Sequence, residues 1–216
     1  DDRVKFYDIG NVETAGVIEQ DTKYSFSRSS LSNPNHLAYA QEKVCDLPVI
    51  TFKKFKRYFN NPVEDMHFGK TTGFDTLKGQ DIAVVGTPHA SPITIALYSQ
   101  ALGISIRSSD FSKIGQKCVE HNGFRFWFNA YDNDNLRHLQ FYFIESELRQ
   151  AVGRARVNTE PAHVRLFSSY PLPEAAVNAD EKALWTKPSE VTESISHNKE
   201  IEDTLTTVKA IENIAA

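Results

Sequence analysis

Short β-branched and aromatic runs alternating with helix-forming stretches constrain this chain more than any other feature. Residues 4–9, 47–52, 81–85, 136–143 and 163–167 have the length and content of buried strands. Helical stretches fall between them at 35–43, 55–59, 91–102 and 145–155. In the last of these, Ile144, Leu148, Val152 and Ala155 form one apolar stripe. A strand that follows a helix returns parallel to the strand before it, so the pattern predicts an α/β fold with a mostly parallel sheet flanked by helices.

One segment breaks the alternation. Residues 116–121 and 124–131 flank Asn122-Gly123, the pair favoured in two-residue hairpin turns because both positions need positive φ. An inserted β-hairpin is expected there. Its second strand carries aromatic side chains on both faces, which fits a core and also fits a platform for bases of a single strand.

Charge is distributed unevenly. The chain of 216 residues has formal charge −4. From Glu174 onward nine acids face four bases, so that tail holds −5 and residues 1–173 about +1. Bases cluster at Lys53, Lys54, Lys56 and Arg57, and again at Arg149, Arg154, Arg156 and Arg165. These clusters fit solvated helix faces, and equally a surface for polyanions. Two cysteines, Cys45 and Cys118, lie near strand candidates without metal-type spacing, and are expected to be buried free thiols of a cytoplasmic protein. No apolar span is long enough for a membrane helix and no signal pattern opens the chain, which begins Asp1-Asp2 and is expected to be part of a longer protein. Residues 174–198 read as a linker, and Ile201, Leu205, Val208 and Ile211 predict a terminal amphipathic helix.

Gly69-Lys70-Thr71 imitates the end of a phosphate-binding loop. The first glycine of such a loop belongs five positions earlier, where Glu64 stands and would repel phosphate. The following residues, Thr72-Gly73, read as loop rather than helix. The tripeptide is a coincidence of composition.

Chemistry concentrates at residues 144–169. Gln150 and Arg154 are four apart on one helix face with Gly153 beside them, and Arg156 follows at the helix end. A guanidinium suits phosphate because its planar fork donates several hydrogen bonds and keeps its charge. Ion pairs with Glu145, Glu147 or nearby Asp residues are the structural alternative.

The run Gln150-Ala151-Val152-Gly153-Arg154-Ala155-Arg156 resembles motif VI of superfamily 2 helicases, Q-x-x-G-R-x-x-R. Residues 47–53 resemble motif IV. Gly73-Phe74-Asp75, followed by the strand at 81–85, resembles motif V. The order matches over residues 47–170, with one departure: the second arginine of the family falls at Val157, and Arg156 is one residue early. Either the helix ends in a different turn or Arg156 is not an arginine finger.

The resemblance implies a RecA-like second motor domain over 1–173, with 1–46 an unassigned lead-in. It implies that Arg154 and Arg156 act on ATP as arginine fingers. Gln150, Gly153, Gly73 and Asp75 would line the ATP site. Thr51, Lys53, Thr87 and His89 would touch a nucleic-acid backbone, single-stranded DNA being the expected partner. The phosphate loop and the acidic box that holds Mg are missing, since Ile9 follows Asp8 where Glu is needed. ATP and Mg would be held mainly by a first RecA-like domain, and this chain alone would hydrolyse little ATP. The rival reading is a non-catalytic α/β module that binds nucleic acid or protein.

Other chemistries lack their residues. Seven histidines are scattered without ligand spacing, Asp132 and Asp134 lack the glycine and closing Glu of a calcium loop, and no Gly-x-Ser-x-Gly elbow occurs. Glu64-Asp65 is the lone acidic pair near the basic segments, too little for a nuclease. Arg28, in a Ser-rich loop, fits a phosphate contact or an exposed turn.

Overall fold

A computed structural model describes residues 14–73 and 75–177. The strand expected at 4–9, the helix expected around 201–211 and most of the expected linker lie outside the described residues.

Five strands form one parallel sheet: β1 (Val17–Asp21), β2 (Val49–Thr51), β3 (Ile82–Val85), β6 (His163–Phe167) and β7 (Ala176–Val177), in the order β2-β3-β6-β1-β7. Helices α1 (Pro34–Val44), α2 (Pro92–Ala101) and α3 (Asp134–Val152) flank it. Strands β4 (Ile114–His121) and β5 (Phe124–Tyr131) form a separate antiparallel hairpin. The expected α/β class and the inserted hairpin are both present. Among the described residues no helix is long and apolar enough to cross a membrane.

Burial follows from position in the sheet. Every residue of β2 and β3 is buried, as strands covered on both faces require. By contrast β1 alternates, with Ile18 and Gln20 turned inward. Gln20 is fully buried and well partnered. Its amide nitrogen donates to the carbonyls of Ser168 (2.8 Å) and Tyr170 (2.7 Å), and its oxygen accepts from the Leu172 amide (2.9 Å). It stitches the end of β1 to the segment after β6. Arg165 similarly donates to the Lys43 carbonyl at the C-terminus of α1 (2.9 Å), where a cation is favoured.

The first half of α3 corrects the expected strand at 136–143. Its aromatic content suits a strand, but Asn133 caps a helix there, accepting from the amides of Asn135 (3.0 Å) and Leu136 (3.2 Å). Leu136, Leu139, Gln140 and Ile144 then fall on one buried face. Gln140 fixes α3 to the hairpin, donating to the Asn129 carbonyl (2.9 Å) and accepting from the Tyr131 amide (3.3 Å). Phe126 and Phe128 of β5 pack with Phe141 and Tyr170, so those rings are core. The stretch expected as a helix at 55–59 is a single 3-10 turn, Lys56–Tyr58. Cys45 and Cys118 are exposed, which corrects the expectation of burial. Residues 176–177, expected in a linker, pair with β1 as the sheet's edge strand.

Candidate functional site

The loop before β3 runs alongside the second half of α3, tied to it three times in the same order along both segments. The Gly69 amide donates to Glu147 (2.8 Å), the Thr71 hydroxyl donates to Gln150 Oε1 (3.3 Å), and Arg156 Nη2 donates to Asp75 (2.6 Å). Gly69-Lys70-Thr71 therefore spends its best anion-binding amide on a carboxylate of its own chain. Gly73 sits at φ 86°, a value open to glycine and strained for other residues. The loop thus turns sharply before Asp75 meets Arg156.

Arg156 is reached through an unusual helix end. The last turn of α3 tightens into a 3-10 turn, Gly153–Ala155, and Arg156 adopts the left-handed region at φ 60°. Its carbonyl accepts from the amides of Thr159 and Glu160, both at 2.8 Å, which holds the turn. This different turn accounts for the one-residue departure in spacing. Val157, where the second arginine would have fallen, is buried. Holding a non-glycine residue there costs about 1 kcal/mol. Arg154 is half-buried, with Nε donating to the Gln150 carbonyl (3.2 Å).

The Arg156 guanidinium holds the Asp75 carboxyl below the ordinary carboxylate range, first by hydrogen bonding and then by charge. Further along α3, Glu145 gathers Arg149 (2.6 Å), the Tyr170 hydroxyl (2.8 Å) and the Asn122 amide (2.8 Å). Burial, then Glu145, push the Tyr170 hydroxyl pKa up. His121 lies 3.7 Å from Glu145, yet burial outweighs that carboxylate and lowers the imidazole pKa. At neutral pH this contact joins a neutral ring to an anion.

A cleft of about 940 Å³ opens along this face of α3. Gln150, Gly153, Arg154 and Arg156 line it together, while Gly73 and Asp75 lie on the far side of the Arg156 ion pair. Gly153 is in ordinary helical conformation, φ −63°, and a Cβ there would meet nothing within 4 Å. Packing does not demand glycine at that position. Among the described residues no three His, Cys, Asp or Glu side chains gather to hold a metal ion.

The residues expected at a nucleic-acid backbone divide. Thr51 is fully buried and donates to the Val85 carbonyl (2.7 Å). Thr87 is buried too, donating to the Ser25 carbonyl (2.5 Å) and accepting from the Ser169 amide (3.2 Å). Both hydroxyls serve the fold, which corrects their assignment to a ligand contact. His89 is half-buried and stacks on Phe128 at 5.5 Å. Only Lys53 of the four is exposed.

Around Lys53 the C-terminal edge of the sheet shows what motif matching missed. Its loops, residues 22–33, 52–61, 86–91 and 168–173, contain six Lys or Arg and no Asp or Glu. Several of these cations lie over rings: Arg28 over Phe52 (4.8 Å), Arg57 over Tyr58 (4.8 Å), Lys54 over Phe55 (5.6 Å) and Lys23 over Tyr39 (4.2 Å). Counting charge by loop, with the strand order known, would have found this edge; counting along the sequence could not.

No protein-family model, curated protein or solved structure matches this chain.

Proposed function

We propose that this chain is the second RecA-like domain of an ATP-dependent superfamily 2 helicase or translocase. The observation that carries the reading is the meeting of two segments 81 residues apart, Gly73 to Asp75 and Gln150 to Arg156, through the 2.6 Å ion pair of Arg156 and Asp75. Two sequence stretches that resemble motifs V and VI separately have no reason to touch unless the resemblance extends to the fold.

In this reading Arg154 and Gln150 face a nucleotide held by a first RecA-like domain. The open space at Gly153 admits close approach of phosphate to the helix end. Asp75 holds Arg156 in place and competes with phosphate for its guanidinium, so Arg156 is released as phosphate arrives. ATP hydrolysis would supply the free energy for opening the two domains. The cleft's donors suit a polyphosphate, and Mg would be held by the partner domain. The acid-free edge around Arg28, Lys53 and Lys54 would follow the backbone of single-stranded DNA or RNA, a sequence-independent and salt-sensitive contact.

The test is ATP hydrolysis by the full-length protein, with and without single-stranded DNA. Arg154→Ala is expected to lower kcat by about 10³-fold or more, the usual worth of an arginine finger. An undiminished rate would remove the finger assignment. A full-length protein with no ATPase activity at all would favour the binding-module reading, to which the basic edge still belongs.

A further inference from the structure

The cleft beside Arg154 extends far beyond the arginines, and its chemistry changes along its length. One face of α3 supplies His138, Tyr142, Ser146, Arg149, Gln150 and Gly153 in succession. The 15-residue separation of His138 and Gly153 corresponds to about 22 Å of helix at about 1.5 Å per residue. Two exposed rings one turn apart, His138 and Tyr142, stand at one end. Hydroxyl and amide groups of Ser146 and Asn122 occupy the middle. The cations Arg154 and Arg156 stand at the other end. Aromatic, then hydrogen-bonding, then cationic is the order a nucleotide presents as base, sugar and phosphates.

Tyr142 does little for the fold. It is 62 % exposed, the most exposed large apolar side chain among the described residues. Its ring is nonetheless held, edge-on to Phe143 (5.6 Å), which is itself edge-on to Tyr98 (4.8 Å). A ring fixed at its edge and open to a cleft is suited to stacking, because little side-chain freedom remains to be lost on contact.

We propose that Tyr142 is the base-stacking residue of this cleft and that the bound ligand is a nucleoside triphosphate laid along α3, its base against Tyr142 and its terminal phosphates at Arg154. The assignment rests on the motor reading for the phosphate end only. The base end stands on the exposed, buttressed ring and its spacing from the arginines. Tyr142 is a binding residue that sets affinity for the base and takes no part in bond breaking.

Calorimetric titration of the 216-residue chain with ATP and with inorganic tripolyphosphate tests it, since tripolyphosphate keeps the charge and lacks the base. Wild type should bind ATP more tightly than tripolyphosphate. Tyr142→Ala should weaken ATP about tenfold, the lower range for base–aromatic stacking, and leave tripolyphosphate unchanged. Tyr142→Phe should restore ATP. Equal binding of the two ligands by wild type, an unchanged ATP affinity in Tyr142→Ala, or no ATP binding at millimolar concentration would each overturn the proposal. Arg154→Ala separates the two readings. If it weakens both ligands alike, the phosphate end stands. If it weakens neither while Tyr142→Ala weakens ATP, the motor reading fails and the base platform remains.

Discussion

The two edges of the parallel sheet treat charge in opposite ways. At the C-terminal edge, six cations stand in loops that contain no carboxylate, and several are held by aromatic rings. At the N-terminal edge carboxylates are matched with donors. Arg156 meets Asp75 (2.6 Å), Lys78 meets Glu160 (3.2 Å), and Asp81 accepts from the His163 amide (2.7 Å). A cation over a ring keeps its full charge for a polyanion, whereas a cation against a carboxylate is held until a stronger anion competes. The comparison teaches a division of labour: one edge offers standing positive potential, the other an exchangeable arginine.

Four substitutions break or sharpen that contrast, in order of expected size. Gln20→Leu removes the scaffold under the basic edge and strands buried partners at Ser168, Tyr170 and Leu172. It should cost about 3 kcal/mol, read as a lower urea midpoint. Lys53→Ala with Lys54→Ala should weaken single-stranded DNA binding about tenfold or more and flatten the salt dependence, by about 0.7 in log–log slope for each phosphate no longer neutralised. Anisotropy at several salt concentrations checks it, and an unchanged slope would remove the edge from the interface.

Gly153→Ala is the subtler case. Since the added Cβ meets no neighbour, the fold should be unharmed or gain up to about 1 kcal/mol of helix propensity, while ATPase activity of the full-length protein falls. A stable variant with normal activity would mean the open space serves nothing. Asp75→Asn should leave the unfolding midpoint within error, because both partners are well exposed, yet loosen the loop at Gly73 in hydrogen exchange. The same tie has a defined pH response. The folded Asp75 pKa lies below its unfolded value, so the contribution is complete above the ordinary carboxylate range and lost as pH falls through the folded value. Loop protection should therefore be flat across neutral pH and fail only in acid.

Much of the fold was legible because its signals are local. Asn122-Gly123 specifies a hairpin turn, and Leu148, Val152 and Ala155 specify a buried helix face, without reference to the rest of the chain. What escaped depends on distant partners. The strand β1 hides because Glu19, Gln20 and Asp21 look like loop residues, and Gln20 is explained only by carbonyls 148 and 150 positions away. The start of α3 looks like a strand until the Asn133 cap is recognised. In the site, the residues of the Gln150 to Arg156 run were visible as a spacing. The burial of Thr51 and Thr87 was not, since a threonine at a strand end can serve a ligand or a neighbouring carbonyl equally well.

ATP hydrolysis by the full-length protein, titrated with single-stranded DNA, separates the two edges most directly. Arg154→Ala should lower the plateau rate and keep the half-saturating DNA concentration. Lys53→Ala with Lys54→Ala should raise that concentration and keep the plateau. The opposite pattern, or a full plateau in Arg154→Ala, would contradict the division of labour.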